Sequence, residues 1–251
     1  PLALFVGFGT IVLNVSLGVV GFGFPTYPST GIGYKGFFIA GNEVSAALIA
    51  TSAVVLGTAW ARARTVTYLM LAVVTVLVGA LLATKAAIAS SLVLVVGVPT
   101  MYLLAEGRLR SSLGYLSLAA ALASVTVAVF AQSLLQTPVG QRLLFLYGRV
   151  SIVDLVFSGR HVFAARVFRS YAEDASVVDL LVGVGSASIR RFGPISTEID
   201  PVDVAVASGL PAAFIVSAVA IALIVLAVRS IRSSEFAPAV LISNVLLFGF
   251  A

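Results

Sequence analysis

Apolar runs about as long as a bilayer is thick recur along this chain, and that spacing constrains its fold more than any other feature. A hydrocarbon core about 30 Å deep takes roughly 20 apolar residues per helical span, whereas strands of a membrane barrel alternate in runs of about ten. The runs here cover about 2–24, 37–60, 65–83, 86–105, 113–131 and 204–228, and a further one starts near Pro238. Composition agrees: 60% of residues are hydrophobic and 10% charged, with a mean hydropathy of +1.14, where soluble domains carry about a quarter charged residues. The expected fold class is therefore all-α, a polytopic transmembrane helical bundle.

The connections carry the charge. Arg62 and Arg64, Arg108 and Arg110, and Arg229 and Arg232 fall in short loops on one side, against Lys35 and Lys85 on the other. By the positive-inside rule the arginine side is cytoplasmic. Prolines 25 and 28 stop the first span, because proline lacks a donor and clashes with the preceding turn, and a turn-rich loop is expected up to Lys35. Pro99 is expected to kink the fourth span. The chain starts at Pro1 and ends at Ala251 within an apolar run, so it reads as a piece of a longer protein. Without cysteine and with one histidine, it offers neither disulfides nor a histidine-rich metal cluster. The net charge of +5 is spread over several loops, with no aromatic-interleaved basic patch, which argues against a nucleic-acid partner.

Between the fifth and sixth runs lies a polar stretch, residues 132–203, with seven arginines and seven carboxylates. The expected organisation is five transmembrane helices in 1–131, an extracytoplasmic segment with interfacial helices in 132–203, and transmembrane helices in 204–251. A long translocated segment largely escapes the charge rule, so its arginines do not contradict the orientation. Arg142 and Arg149 are seven apart among apolar residues, which reads as a helix at the interface. Ser158 can cap a helix running through Phe163 and Phe168, with Arg160 in its first turn; a cation there opposes the helix dipole unless an anion is bound. Gly183-Val184-Gly185 reads as a two-glycine turn, a weak phosphate-cradle signal. Asp200-Pro201-Val202-Asp203 has the form of a helix start, and Glu198 lies outside that cap.

Four segments occur in an order that resembles the O-antigen ligase and O-antigen polymerase family of bacterial envelope proteins. They are Gly36 to Leu48 opening a span, Thr84-Lys85-Ala86 at a hairpin, Ser158-Gly159-Arg160 in the long segment, and Leu181 to Gly185 followed by Thr197 to Gly209. The resemblance implies a GT-C-like membrane glycosyltransferase of the bacterial inner membrane. It would move a glycan from an undecaprenyl-diphosphate carrier to a sugar hydroxyl of a glycan or lipid acceptor, on the outer face. The family's basic hairpin residue falls on Lys85 and the arginine of its SGR motif on Arg160. Ligases carry a catalytic histidine ahead of the re-entering span; this chain has Glu198-Ile199-Asp200, which favours a polymerase-like reading and leaves the base open between the two carboxylates. The family's usual additional N-terminal spans are not in this sequence.

Elementary chemistry assigns the same roles. Breaking a bond from sugar to diphosphate loads negative charge on the leaving group, which Lys85, Arg160 and either Arg190 or Arg191 would neutralise. Glu198 or Asp200 would take the proton of the attacking hydroxyl. No metal and no other cofactor is called for. Asn42 and Glu43 can contact substrate or simply pack helices, and His161 reads as a neighbour of the site rather than its base. Structural roles compete throughout: Lys85 can snorkel at a helix end, Arg160 can pair with Asp154 or a lipid headgroup, and Asp200 and Asp203 can serve as caps. The rival reading is a transporter of an anionic solute or lipid-linked glycan, which calls for internal repeats and interrupted helices in matching halves.

Overall fold

The computed structural model of the chain describes residues 2–28, 31–117, 120, 160–185, 200–231 and 236–250. In order these form α1 (Leu2–Val19), β1 (Phe24–Tyr27), β2 (Ile32–Gly36), α2 (Gly41–Ala61), α3 (Thr65–Leu82) and α4 (Lys85–Ala105), then α5 (Arg160–Asp174), α6 (Val177–Val182), α7 (Asp200–Ser208), α8 (Leu210–Arg229) and α9 (Ala237–Phe250). Helical backbone also covers 109–117. Among the described residues, α1, α2, α3, α4 and α8 are long and apolar enough to cross a membrane, so the chain is a mostly helical protein with the helices of a multi-pass membrane protein. The chain divides into two compact units, one of residues Pro1–Ala120 with Leu223–Phe250 and the other centred on Ala121–Ala222.

In the first unit α2 is the central helix. It packs against α1, α3, α4 and α9, and its middle from Thr51 to Ala59 is buried throughout. One cluster joins Ile49 and Leu56 to Leu94, Val98 and Ile242, and another joins Leu48 and Val55 to Phe8, Val15 and Leu82. Lipid tails are as apolar as leucine, so helices in a membrane gain from close backbone approach at small residues rather than from burial alone. Gly57 permits this between α2 and α9, where an added Cβ would lie 2.6 Å from Ala239 Cβ. Gly79 permits it between α3 and α4, with Ala87 O 2.8 Å from such a Cβ. Several hydroxyls within these helices turn back on their own backbone. Thr51, Thr58 and Thr100 each donate at 2.7 Å to the carbonyl four residues earlier, which satisfies a polar group without water. Helix α4 runs through Pro99 as one continuous element. The outer faces stay apolar: α3 exposes Leu69, Met70, Val73 and Leu77, and α8 exposes Phe214, Ile215 and Ile221.

The purely helical expectation omits one feature. Where a turn-rich loop was expected, β1 and β2 pair antiparallel, with Pro25 opposite Tyr34 and an irregularity between Phe24 and Pro25. An edge position tolerates the missing proline donor. Asn14, a lone amide within the apolar α1, fixes this hairpin: its Nδ2 donates to Lys35 O at 2.8 Å and its Oδ1 accepts from Phe37 N at 3.0 Å. Gly36, at φ 62°, leaves room for that approach, since a Cβ there would fall 2.3 Å from Asn14 O. Asn14→Leu keeps the branched shape and removes both bonds, so it is expected to cost about 1–3 kcal/mol. The checks are a lower thermal midpoint in detergent and faster proteolysis within 23–37.

A second departure concerns the sixth apolar run, expected to be one span. It is broken at Gly209, whose φ of 87° ends α7 before α8 begins. Apolar residues flank the break on both sides, so hydropathy passes over it.

Candidate functional site

Thr84 places Lys85. Its side chain caps α4, accepting from Ala87 N at 3.0 Å, which makes Lys85 the first helical residue rather than part of the separator between spans. The same hydroxyl lies 2.7 Å from Ser45 Oγ on α2, in a buried contact. Ser45 Oγ in turn donates to Gly41 O at 2.8 Å. This chain of hydroxyls ties the first turn of α2 to the start of α4. Gly41 and Gly33 complete the junction by close approach: an added Cβ on Gly41 would meet Thr26 Cγ2 at 3.0 Å and Thr84 Cγ2 at 3.5 Å, and one on Gly33 would meet Leu82 O at 2.7 Å. The hairpin, the α3–α4 turn and the α2 N-terminus therefore form one end of the first unit.

Three of the residues singled out from sequence lie at this end. Asn42 and Glu43 are exposed in the first turn of α2, and Lys85 is exposed at the start of α4. The electrostatics favour an anion over a cation. Helix α2 starts at Ala40 with no side-chain cap, so its first-turn N–H groups have no side-chain acceptor, and two helix N-termini add their positive dipole ends. Glu43 partly offsets this field. Lys35, the other lysine at this end, donates to Ile39 O at 2.7 Å and so braces the hairpin's exit.

The remaining candidates fall in the polar stretch. Arg160 and His161 are the first two residues of α5, so Arg160 stands in a first turn as expected, while the expected cap Ser158 lies outside the described residues; Asp200, expected as a cap, is itself the first residue of α7. Glu198, Arg190, Arg191 and the Arg142–Arg149 segment lie outside the described residues. Helices α5 and α7 belong to the same unit and share a core of Val167, Tyr171 and Val206. Tyr171 Oη donates to Asp179 O at 2.5 Å. Burial, with the Asp179 carboxylate adding to it, pushes this phenol above its ordinary value, so Tyr171 is a neutral structural donor and no candidate base.

The two-glycine turn is not an anion cradle. Gly183 N donates to Asp179 O at 2.8 Å, while Val184 N and Gly185 N donate to Val206 O and Ala207 O, both at 2.9 Å. All three donors are spent, the last two on carbonyls that end α7. Gly183 and Gly209 make the fit possible, since a Cβ on either would fall within 2.4 Å of the facing backbone. Sequence reasoning missed Asn14, Ser45 and Thr84. Asn14 carried a usable signal, because an amide inside an apolar span calls for a partner; Ser45 looks like an ordinary helix residue and Thr84 like part of a hairpin until α2 and α4 are packed. Comparison of the chain with protein-family models, with curated proteins and with solved structures finds no match.

Proposed function

We propose that the chain is the membrane part of a glycosyltransferase of the O-antigen polymerase or ligase type. It transfers a glycan from undecaprenyl diphosphate to a sugar hydroxyl at the outer face of the bacterial inner membrane. The observation that carries this reading is the Ser45–Thr84 junction, which gathers Lys85, Asn42 and Glu43 at a positively biased membrane end suited to a lipid diphosphate. In the reaction the acceptor hydroxyl attacks the anomeric carbon, its proton passes to Glu198 or Asp200, and the carbon–oxygen bond to the diphosphate breaks. The candidates for neutralising the departing diphosphate are Lys85 in the first unit and Arg160 with Arg190 or Arg191 in the second.

The test is an assay of the purified full-length protein in nanodiscs with an undecaprenyl-diphosphate-linked glycan. Stoichiometric release of undecaprenyl diphosphate as the glycan lengthens or changes carrier is expected. Transport of the intact lipid-linked glycan, with no diphosphate released, would instead favour the transporter, for which the interruption at Gly209 is the one favourable observation. Orientation is tested separately. The chain lacks cysteine, so single cysteines at Ser170 and Ser196 are expected to react with an impermeant thiol reagent in intact spheroplasts, and one at Ala63 only after lysis. The reverse pattern overturns the orientation and the outer-face reaction with it.

A further inference from the structure

At the opposite end of the first unit, a cleft of about 280 Å³ opens between the α2–α3 turn and the end of α4. Trp60, Arg64, Tyr68, Leu103, Glu106 and Arg108 line it. We propose that this cleft binds the phosphate of an anionic phospholipid, independently of the glycosyltransferase reading.

Charge is the first reason. Arg108 shares its charge with Glu106 through a loose, exposed contact of 3.5 Å, while Arg64 has no side-chain partner among the described residues. The lining is therefore net positive, and guanidinium groups match phosphate oxygens bidentately. Helix α3 adds to this, because it begins at Arg64 with no side-chain cap and presents a positive dipole end.

Depth is the second. Trp60, partly buried against the core ring of Tyr68 with centroids 5.3 Å apart, stands at the end of α2, and a tryptophan at a span end marks the headgroup level of a bilayer. The third reason separates a lipid from a free phosphate. From the first turn of α3, Val66, Leu69, Met70, Val73 and Leu77 form a stripe at helical spacing, each at least 56% exposed. At about 100° per residue this face lies across α3 from Tyr68, so it does not continue the cleft; it turns α3 to lipid, and a headgroup reaches the cleft from that same bilayer surface, which a soluble anion does not.

Trp60 is the chain's one tryptophan, so its fluorescence reports on the cleft directly. In phosphatidylcholine nanodiscs doped with equal fractions of dibrominated phosphatidylglycerol or dibrominated phosphatidylcholine, the bromines quench Trp60 when that lipid sits beside it. The expected result is about a fivefold preference for phosphatidylglycerol, the effect of one basic residue facing an anionic headgroup. Arg64→Ala with Arg108→Ala should abolish it, Arg64→Lys should retain part of it, and Arg229→Ala should leave it intact. Equal quenching of wild type by both lipids overturns the proposal without recourse to any variant. So does a preference that survives in a double variant with normal elution, or a saturable response of Trp60 to inorganic phosphate with no lipid preference.

Discussion

Lys85→Ala is expected to slow glycan transfer about a hundredfold, the usual effect of removing one charged contact to a transition state. The loss is read as turnover per folded protein, with the thermal midpoint measured alongside. Thr84, not Lys85, caps α4, and the lysine is exposed at the helix start, where a cation gains nothing from the dipole. Lys85→Arg keeps the charge and should stay within about tenfold of wild type, because a point charge needs only proximity. Arg160 should behave differently at its own helix start. If its fork binds two diphosphate oxygens, Arg160→Lys loses one of them and should approach the hundredfold loss of Arg160→Ala. Arg229→Ala supplies the control for a surface arginine. Wild-type turnover in both Lys85→Ala and Arg160→Ala would remove these residues from the leaving-group role.

What could be read from sequence divides along a physical line. The spans were legible because each must fill a hydrocarbon layer with its own residues: α2, α3 and α4 begin and end within a few positions of the apolar runs. The starts of α5 and α7 were legible to within a residue or so because the residue types that favour a helix start are local to the sequence. The hairpin was not, since residues 24–36 contain two prolines and several glycines, the signature of a turn, and their pairing depends on Asn14 from another element. Gly209 hid for a related reason. Its break is stabilised by Val184 and Gly185 donating to the end of α7, a contact no window of hydropathy can register. The gathering of Lys85 with Asn42 and Glu43 depends likewise on two hydroxyls separated by 39 residues.

Glu198→Gln is expected to lower transfer by about a hundredfold to ten-thousandfold, the range that a positioned general base contributes, with Asp200→Asn well behind it. The difference follows from where the chain puts them. Asp200 is the first residue of α7, a position at which a carboxylate complements the helix dipole. Its amide should therefore cost mainly stability, about 0.3–1 kcal/mol of lost charge–dipole attraction, seen as a slightly lower thermal midpoint with turnover largely kept. Glu198 precedes the helix and has no such task in the sequence. The amide preserves its shape and removes its basicity, so the acidic limb of the pH–rate profile should disappear along with the rate. Donor binding, measured as the affinity for the lipid diphosphate, should be unchanged, because the proton comes from the acceptor. If Asp200→Asn shows the larger loss of turnover and Glu198→Gln the smaller, the base is Asp200 and its place at the start of α7 belongs to the catalytic arrangement. If both amide variants turn over at the wild-type rate while folded, neither carboxylate is the base, and the departure from a histidine at this position needs another explanation.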